Sequence, residues 1–186
     1  FVKGCSNILP NTTMEELLVK TMHDVGVPQY DEAELALAKS LHDALESPEK
    51  TLTKISRLCG AKERAQVLAH QGEPIYAFIA PHTPTDSPLI TVSTDSGDAS
   101  WCAPTSQISV AAWAADTPAH TWQVVAIGKS SISHKAMLFA AKVLGIAGAQ
   151  LITDSNLLAA AQEEFAARTA ASPYVCPIPK GIDPKY

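Results

Sequence analysis

The second half of the chain alternates short apolar runs with helical segments, and this alternation limits the fold most strongly. Three runs are rich in β-branched, aromatic or small apolar residues: Leu89–Thr94, Gln107–Ala115 and Trp122–Ile127. Runs of this kind are typical of buried strands. Helical periodicity then continues over Ser133–Leu151. Strands that alternate with helices predict an α/β fold, in which a mixed sheet is flanked by helices.

Helix start and stop signals predict further helices. Thr12 and Glu15 have capping-box spacing at the start of a helix that Gly26 ends. A second helix is predicted from Asp31 to Leu45, and a short one from Lys50 to Cys59.

Other segments give simpler signals. Asp154 or Ser155 is positioned to cap a further helix after Leu151. Four prolines between Pro74 and Pro88 predict an extended loop, and four more in the last fifteen residues predict an extended tail.

Composition excludes several classes of partner. The 186 residues are 46% hydrophobic and 18% charged, with a net charge of -5, which is typical of one globular domain. No basic stripe interleaved with aromatic residues occurs, so neither nucleic acid nor an anionic membrane surface is a predicted partner. The most apolar run, residues 136–152, is interrupted by Lys142 and Gln150, and no membrane span is predicted.

The four cysteines are far apart in sequence and form no CxxC pair. This spacing excludes a zinc ribbon and a thioredoxin-like motif. Reduced thiols and a cytoplasmic location are predicted.

Two loops carry candidate chemistry. Asp95 and Asp98 flank Gly97 just beyond a predicted strand end, where ligands bind in α/β folds; an Asx turn is the alternative. His120 follows Pro118 between two predicted strands, and its neutral imidazole is a common metal ligand; a hydrogen-bonded loop histidine is the alternative.

His134 is the rival of His120 as a site residue. It opens a predicted helix, where it could act as a neutral ligand, contact a substrate or face solvent. The acidic pairs Glu15-Glu16 and Glu163-Glu164 fit exposed helix positions. No GxSxG, P-loop, GxGxxG or HExxH motif occurs, so serine-hydrolase and nucleotide-binding sites have no support.

Several longer stretches resemble the M20 peptidase family of metal-dependent amidohydrolases, and most closely its p-aminobenzoyl-glutamate hydrolases. The stretches are NILPN at Asn7–Asn11, STDSGDASW at Ser93–Trp101, TPAHTWQ at Thr117–Gln123, SHKAM at Ser133–Met137 and PYVCPIP at Pro173–Pro179. The resemblance covers essentially the whole chain and corresponds to the C-terminal portion of such an enzyme. It implies that residues 1–10 end a lid-domain strand and re-enter the catalytic domain, and that residues 11–186 belong to that domain.

The resemblance also implies a site with two divalent metal ions, zinc or manganese, that activate water for attack on an amide. His120 matches the family's last metal ligand. Asp98, Asp95 and His134 are expected beside the metals or at the substrate. The general-base glutamate and the other ligands lie upstream in the family, so no catalytic residue is expected here. This portion alone is expected to hold no metal.

The implied reaction is hydrolysis of p-aminobenzoyl-glutamate, or of a similar N-acyl amino acid or small peptide. The expected partners are the amide substrate, the missing N-terminal half, and a second copy or a related subunit. The alternative is a non-catalytic module that assembles with a partner chain.

Overall fold

The structure is a computed structural model that describes residues 4–82 and 94–182. The described residues form helices and irregular segments and contain no strand. In chain order the helices are α1 (Thr12–Val25), α2 (Glu32–Asp43), α3 (Thr51–Ser56), α4 (Ala61–Leu68), α5 (Ser96–Ser100), α6 (Trp122–Ile127), α7 (Ser131–Thr153) and α8 (Ser155–Thr169). The α/β prediction of a mixed sheet is therefore wrong for the described residues.

The predicted strand Trp122–Ile127 is instead the short helix α6. Its two buried residues, Gln123 and Ile127, are four positions apart and so lie on one helix face. Val125, by contrast, is 78% exposed, so the β-branched residue that favoured a strand has no sheet neighbour to pack against. The burial pattern has the period of a helix and overrides the strand propensity.

The run Gln107–Ala115 contains neither helix nor strand. The Ala115 N–H donates to the Pro74 carbonyl at 2.8 Å, but no ladder of such bonds forms among the described residues. A strand requires a paired neighbour, which this run lacks there. The third predicted strand, Leu89–Thr94, falls almost wholly outside the described residues.

Helices with local start signals are confirmed. Asp31 caps α2 in a complete capping box with Glu34, and Asp154 accepts from the Asn156 and Leu157 N–H groups at the start of α8. At α1 the predicted cap is wrong. Asn11 caps that helix instead, because its Oδ1 accepts from the Met14 N–H at 3.0 Å. Helix α4 has no counterpart among the sequence-based predictions.

Helix α7 buries a stripe spaced three to four residues apart: Ile132, Ala136, Phe139, Val143 and Ala147. It also exposes Met137, Leu138, Leu144, Ile146 and Ile152. With 23 residues and a mean hydropathy of 1.6, it is long and apolar enough to cross a membrane by length and composition alone. The sequence-based exclusion of any candidate span is corrected by this helix, although a single such helix is weak evidence of a span.

The chain divides into two compact units. Unit one comprises the described residues of Phe1–Leu17, Pro84–Gln107 and Ala149–Tyr186; unit two comprises those of Leu18–Thr83 and Ile108–Gly148. Unit two has an apolar core of Ala38, Leu41, Ile75, Ala114, Ile127 and Ile132. The predicted division at residue 10 refers to a longer enzyme and stays a prediction.

Candidate functional site

In unit one, the acidic loop at residues 94–101 contacts the segment Ser6–Leu9. Asp98 Oδ1 accepts from the Ser6 N–H at 3.3 Å, the Ser6 hydroxyl at 2.8 Å and the Tyr174 hydroxyl at 3.2 Å. Burial, followed by the hydrogen bond to Asp98, raises the pKa of Tyr174 to about 12, so its hydroxyl stays protonated and keeps donating. Asp98 therefore joins α5 to segments near both chain ends.

The neighbours of Asp98 make contacts to the same segment. Ser100 Oγ accepts from the Leu9 N–H at 2.8 Å, and Trp101 Nε1 donates to the Asn7 carbonyl at 2.8 Å. A Cβ at Gly97 would lie 1.9 Å from the Ser6 carbonyl oxygen, so this position requires glycine. Close approach and side-chain bonding explain the residue types of this loop without a ligand.

Asp95, the other predicted acidic residue, precedes α5 and is exposed. It makes no side-chain capping hydrogen bond. Its predicted role beside a metal or substrate stays a prediction.

In unit two, His120 lies in a tightly bonded loop. Its φ is 63°, and Asp116, four residues earlier, has a φ of 55°; both values lie in the left-handed region. The Thr117 hydroxyl donates to the Ala114 carbonyl at 2.8 Å, and the Thr121 hydroxyl donates to the Pro118 carbonyl at 2.9 Å. The side chain of His120 is exposed, so its imidazole is accessible to a ligand.

His134 lies in the first turn of α7 and is exposed. Its N–H donates to the Ser130 carbonyl at 3.2 Å. It therefore belongs to a regular helix, whereas His120 belongs to a strained loop. Strained backbone positions cluster at functional sites, which favours His120 over His134.

Sequence reasoning missed a buried ion pair next to His134. Glu34 accepts from the Lys135 ammonium at 2.7 Å and from the Ser131 hydroxyl. These two hydrogen bonds, then the one from the Asp31 N–H, lower the pKa of Glu34 to about 2. The DxxE spacing of the capping box was the available signal for Glu34, but the partners on α7 are remote in sequence.

Unit two also contains a narrow, mostly apolar crevice lined by the aromatic side chains of Tyr30, Tyr76, Phe78 and Phe139. Its volume of about 30 Å³ has room for one or two water molecules. An aromatic ring does not fit into it.

The predicted site residues are divided between the two units. Asp95 and Asp98 lie in unit one, whereas His120 and His134 lie in unit two. The predicted cleft shared by Asp98 and His120 therefore stays a prediction. No group of three or more His, Cys, Asp or Glu side chains in residues 4–82 and 94–182 is arranged to hold a metal ion. These residues do not make a complete metal site by themselves.

The four cysteines are free thiols, as the sequence predicts.

Comparison with known proteins gives one informative relative. The chain is 38% identical over 99% of its length to a protein of Escherichia coli (strain K12) that is named as a subunit of p-aminobenzoyl-glutamate hydrolase. It spans 38% of that protein's length. No family model matches the chain, and no solved structure gives a significant match.

The predicted resemblance to the p-aminobenzoyl-glutamate hydrolases is confirmed by this similarity. It extends over nearly the whole chain, so it includes the His120 loop and the Asp98 loop. The assignment to the M20 family stays a prediction.

Proposed function

We propose that this chain forms part of an M20-type, metal-dependent amidohydrolase that cleaves p-aminobenzoyl-glutamate or a similar N-acyl amino acid or small peptide. The observation that carries the proposal is the 38% identity to a named hydrolase subunit across 99% of the chain. Because the chain spans only 38% of that relative, the remaining catalytic parts are assigned to sequence outside these 186 residues.

Within the proposed enzyme, His120 supplies one metal ligand. Its exposed imidazole in a strained loop is suited to that role, whereas a complete set of ligands is not present among the described residues. Zinc or manganese is the proposed metal, since imidazole binds both. The general-base glutamate and the other ligands are assigned outside this chain, and the chain alone is expected to be inactive.

The two loops have different proposed roles. The contacts of Asp98 with Ser6 and Tyr174 support a role in holding the loop beside the site. Asp95 and His134 are both exposed, which suits contact with substrate. A cytoplasmic location fits the free thiols.

A non-catalytic module that assembles with a partner chain is the second candidate. The exposed apolar residues of α7, including Met137, Leu138 and Leu144, favour it. The relative is itself named as a subunit. Pairing with a second copy, a related subunit or the remainder of the enzyme is compatible with both candidates.

The test is a chimera of the Escherichia coli relative in which the 186 residues replace the matching 38% of its length. Release of p-aminobenzoate from p-aminobenzoyl-glutamate is measured with zinc or manganese and after chelation. Release that depends on metal supports the amidohydrolase. A chimera that is folded and metal-loaded but cleaves neither this substrate nor an N-acyl amino acid or dipeptide contradicts it and favours the module.

A further inference from the structure

We propose that Asp116 is a positioning residue that holds the loop of His120 in its strained conformation. The inference rests on the proposed role of His120, because it concerns how the candidate ligand is presented. Its basis is a set of hydrogen bonds that fasten Asp116 to two other segments of unit two.

Asp116 bonds to these segments through both carboxylate oxygens and its carbonyl. Oδ1 accepts from the Thr51 N–H at 3.0 Å, and Oδ2 accepts from the Tyr76 hydroxyl at 2.9 Å. Its backbone carbonyl accepts from the Glu49 N–H at 2.7 Å. Burial and then the hydrogen bond to Asp116 raise the pKa of Tyr76 above its usual range, so the phenol remains a donor. Three bonds to residues far away in sequence fix this point of the loop.

The backbone at Asp116 is left-handed, with a φ of 55°. Glycine adopts this conformation most readily but has no side chain, whereas Asp and Asn tolerate it better than most residues. The position thus needs a left-handed backbone and a side chain with two polar atoms. Aspartate satisfies both requirements, and the hydrogen bonds offset the strain.

Four residues connect Asp116 to a second fixed point. Pro118 has a restricted φ, and the hydroxyl groups of Thr117 and Thr121 bond to carbonyl groups within the loop. After the loop, Gln123 Nε2 donates to the Ala44 carbonyl at 3.3 Å, which holds α6. His120 therefore lies between two anchored positions. A ligand fixed before metal arrives loses less conformational entropy on binding.

The test uses the 186-residue chain labelled for nuclear magnetic resonance. Amide exchange of residues 117–121 and the three-bond coupling that reports the φ of His120 are compared for the wild type, Asp116→Ala and Asp116→Asn. We expect Asp116→Ala to accelerate exchange about tenfold or more, because charge-assisted hydrogen bonds are lost. Asp116→Asn should retain most protection, since its amide can accept from Thr51 and donate to the Tyr76 oxygen.

Asp31→Ala is the matched control, because it removes a helix-capping aspartate from unit two without touching this loop. Should Asp116→Ala fail to fold, Tyr76→Phe removes a single bond to Asp116. Its control is Tyr30→Phe, which removes a tyrosine hydroxyl bonded to the Ala111 carbonyl in the same unit. Unchanged exchange in Asp116→Ala or Tyr76→Phe, or equal acceleration by the controls, overturns the proposal.

The same variants in the chimera connect the loop to function. Asp116→Ala should weaken zinc binding, and Asp116→Asn should restore it. If the wild-type chimera neither binds metal nor cleaves amide while the exchange results hold, the proposed function fails and the positioning role of Asp116 stands. If the chimera is active and Asp116→Ala binds zinc as tightly as the wild type, the positioning role is refuted.

Discussion

At the scale of single residues, Glu164 shows how a carboxylate without a catalytic role can still be constrained. It accepts from the Thr12 and Thr13 N–H groups at 2.7 and 2.9 Å, and from Arg168 Nε at 3.0 Å. These N–H groups belong to the first turn of α1 and have no partner within the helix. The sequence predicts an exposed Glu164. That prediction is wrong, because the helix end that Glu164 satisfies is remote in sequence.

Glu164→Gln should lower the free energy of unfolding by about 2 kcal/mol at pH 7, since it weakens several hydrogen bonds to a charged group. Urea unfolding followed by circular dichroism measures this loss. Glu163→Gln is the matched control, because Glu163 is the exposed neighbour on the same helix. Its effect should stay within about 0.5 kcal/mol. Equal effects of the two substitutions would contradict the role of Glu164 at α1.

The contribution of Glu164 should also depend on pH. Burial raises its pKa, but the bonds from Thr13 and Thr12, together with Arg168, outweigh burial and lower it from 4.5 to about 2. A lowered pKa stabilises the fold fully above about 4.5, and this stabilisation is lost as pH falls toward about 2. The difference between wild type and Glu164→Gln should therefore shrink over that range. A constant difference down to pH 2 would contradict the lowered pKa.

At the scale of elements, two glycines with opposite environments test the packing of α5. Gly97→Ala should destabilise the chain by about 3 kcal/mol, because the new Cβ would overlap the Ser6 carbonyl, 1.9 Å away. Gly145→Ala in α7 meets nothing within 4 Å and should stabilise it by about 0.5–1 kcal/mol. Thermal unfolding of both variants measures the contrast. If Gly97→Ala is neutral, the close contact between α5 and Ser6 is wrong.

Helix α6 can be tested directly, because a strand and a helix shift Cα resonances in opposite directions. We expect Trp122–Ile127 to show helical Cα chemical shifts in the 186-residue chain. Shifts typical of an extended backbone would restore the strand that the sequence favoured.

The contrast between elements shows what the sequence could predict. Asp31 and Asp154 cap helices through neighbours two or three residues away, so their signals are local and sufficient to predict the helices. The runs at Gln107–Ala115 and Trp122–Ile127 depended on pairing with remote segments, and propensity alone misassigned them. In the candidate site, the sequence identifies His120 as a residue of interest but not its anchor Asp116. The bonds of Asp116 to Thr51 and Tyr76 span 65 and 40 residues.

At the scale of the whole molecule, the chain has too few grouped ligands for the proposed metal-dependent chemistry. The described residues form no group that could hold a metal alone, and the chain spans 38% of the hydrolase subunit that it resembles. Both observations are expected if this chain contributes one ligand to a site that other sequence completes. The proposed activity thus depends on His120 and on a longer protein around it.

Metal content of the chimera tests this dependence most directly. His120→Ala and His134→Ala variants are purified, and bound zinc or manganese is counted by elemental analysis. Because His120 is the proposed ligand, its removal should lower the metal content by about one ion per chain, whereas His134→Ala should keep the wild-type content. Full metal content in His120→Ala, with or without loss in His134→Ala, would contradict the assignment.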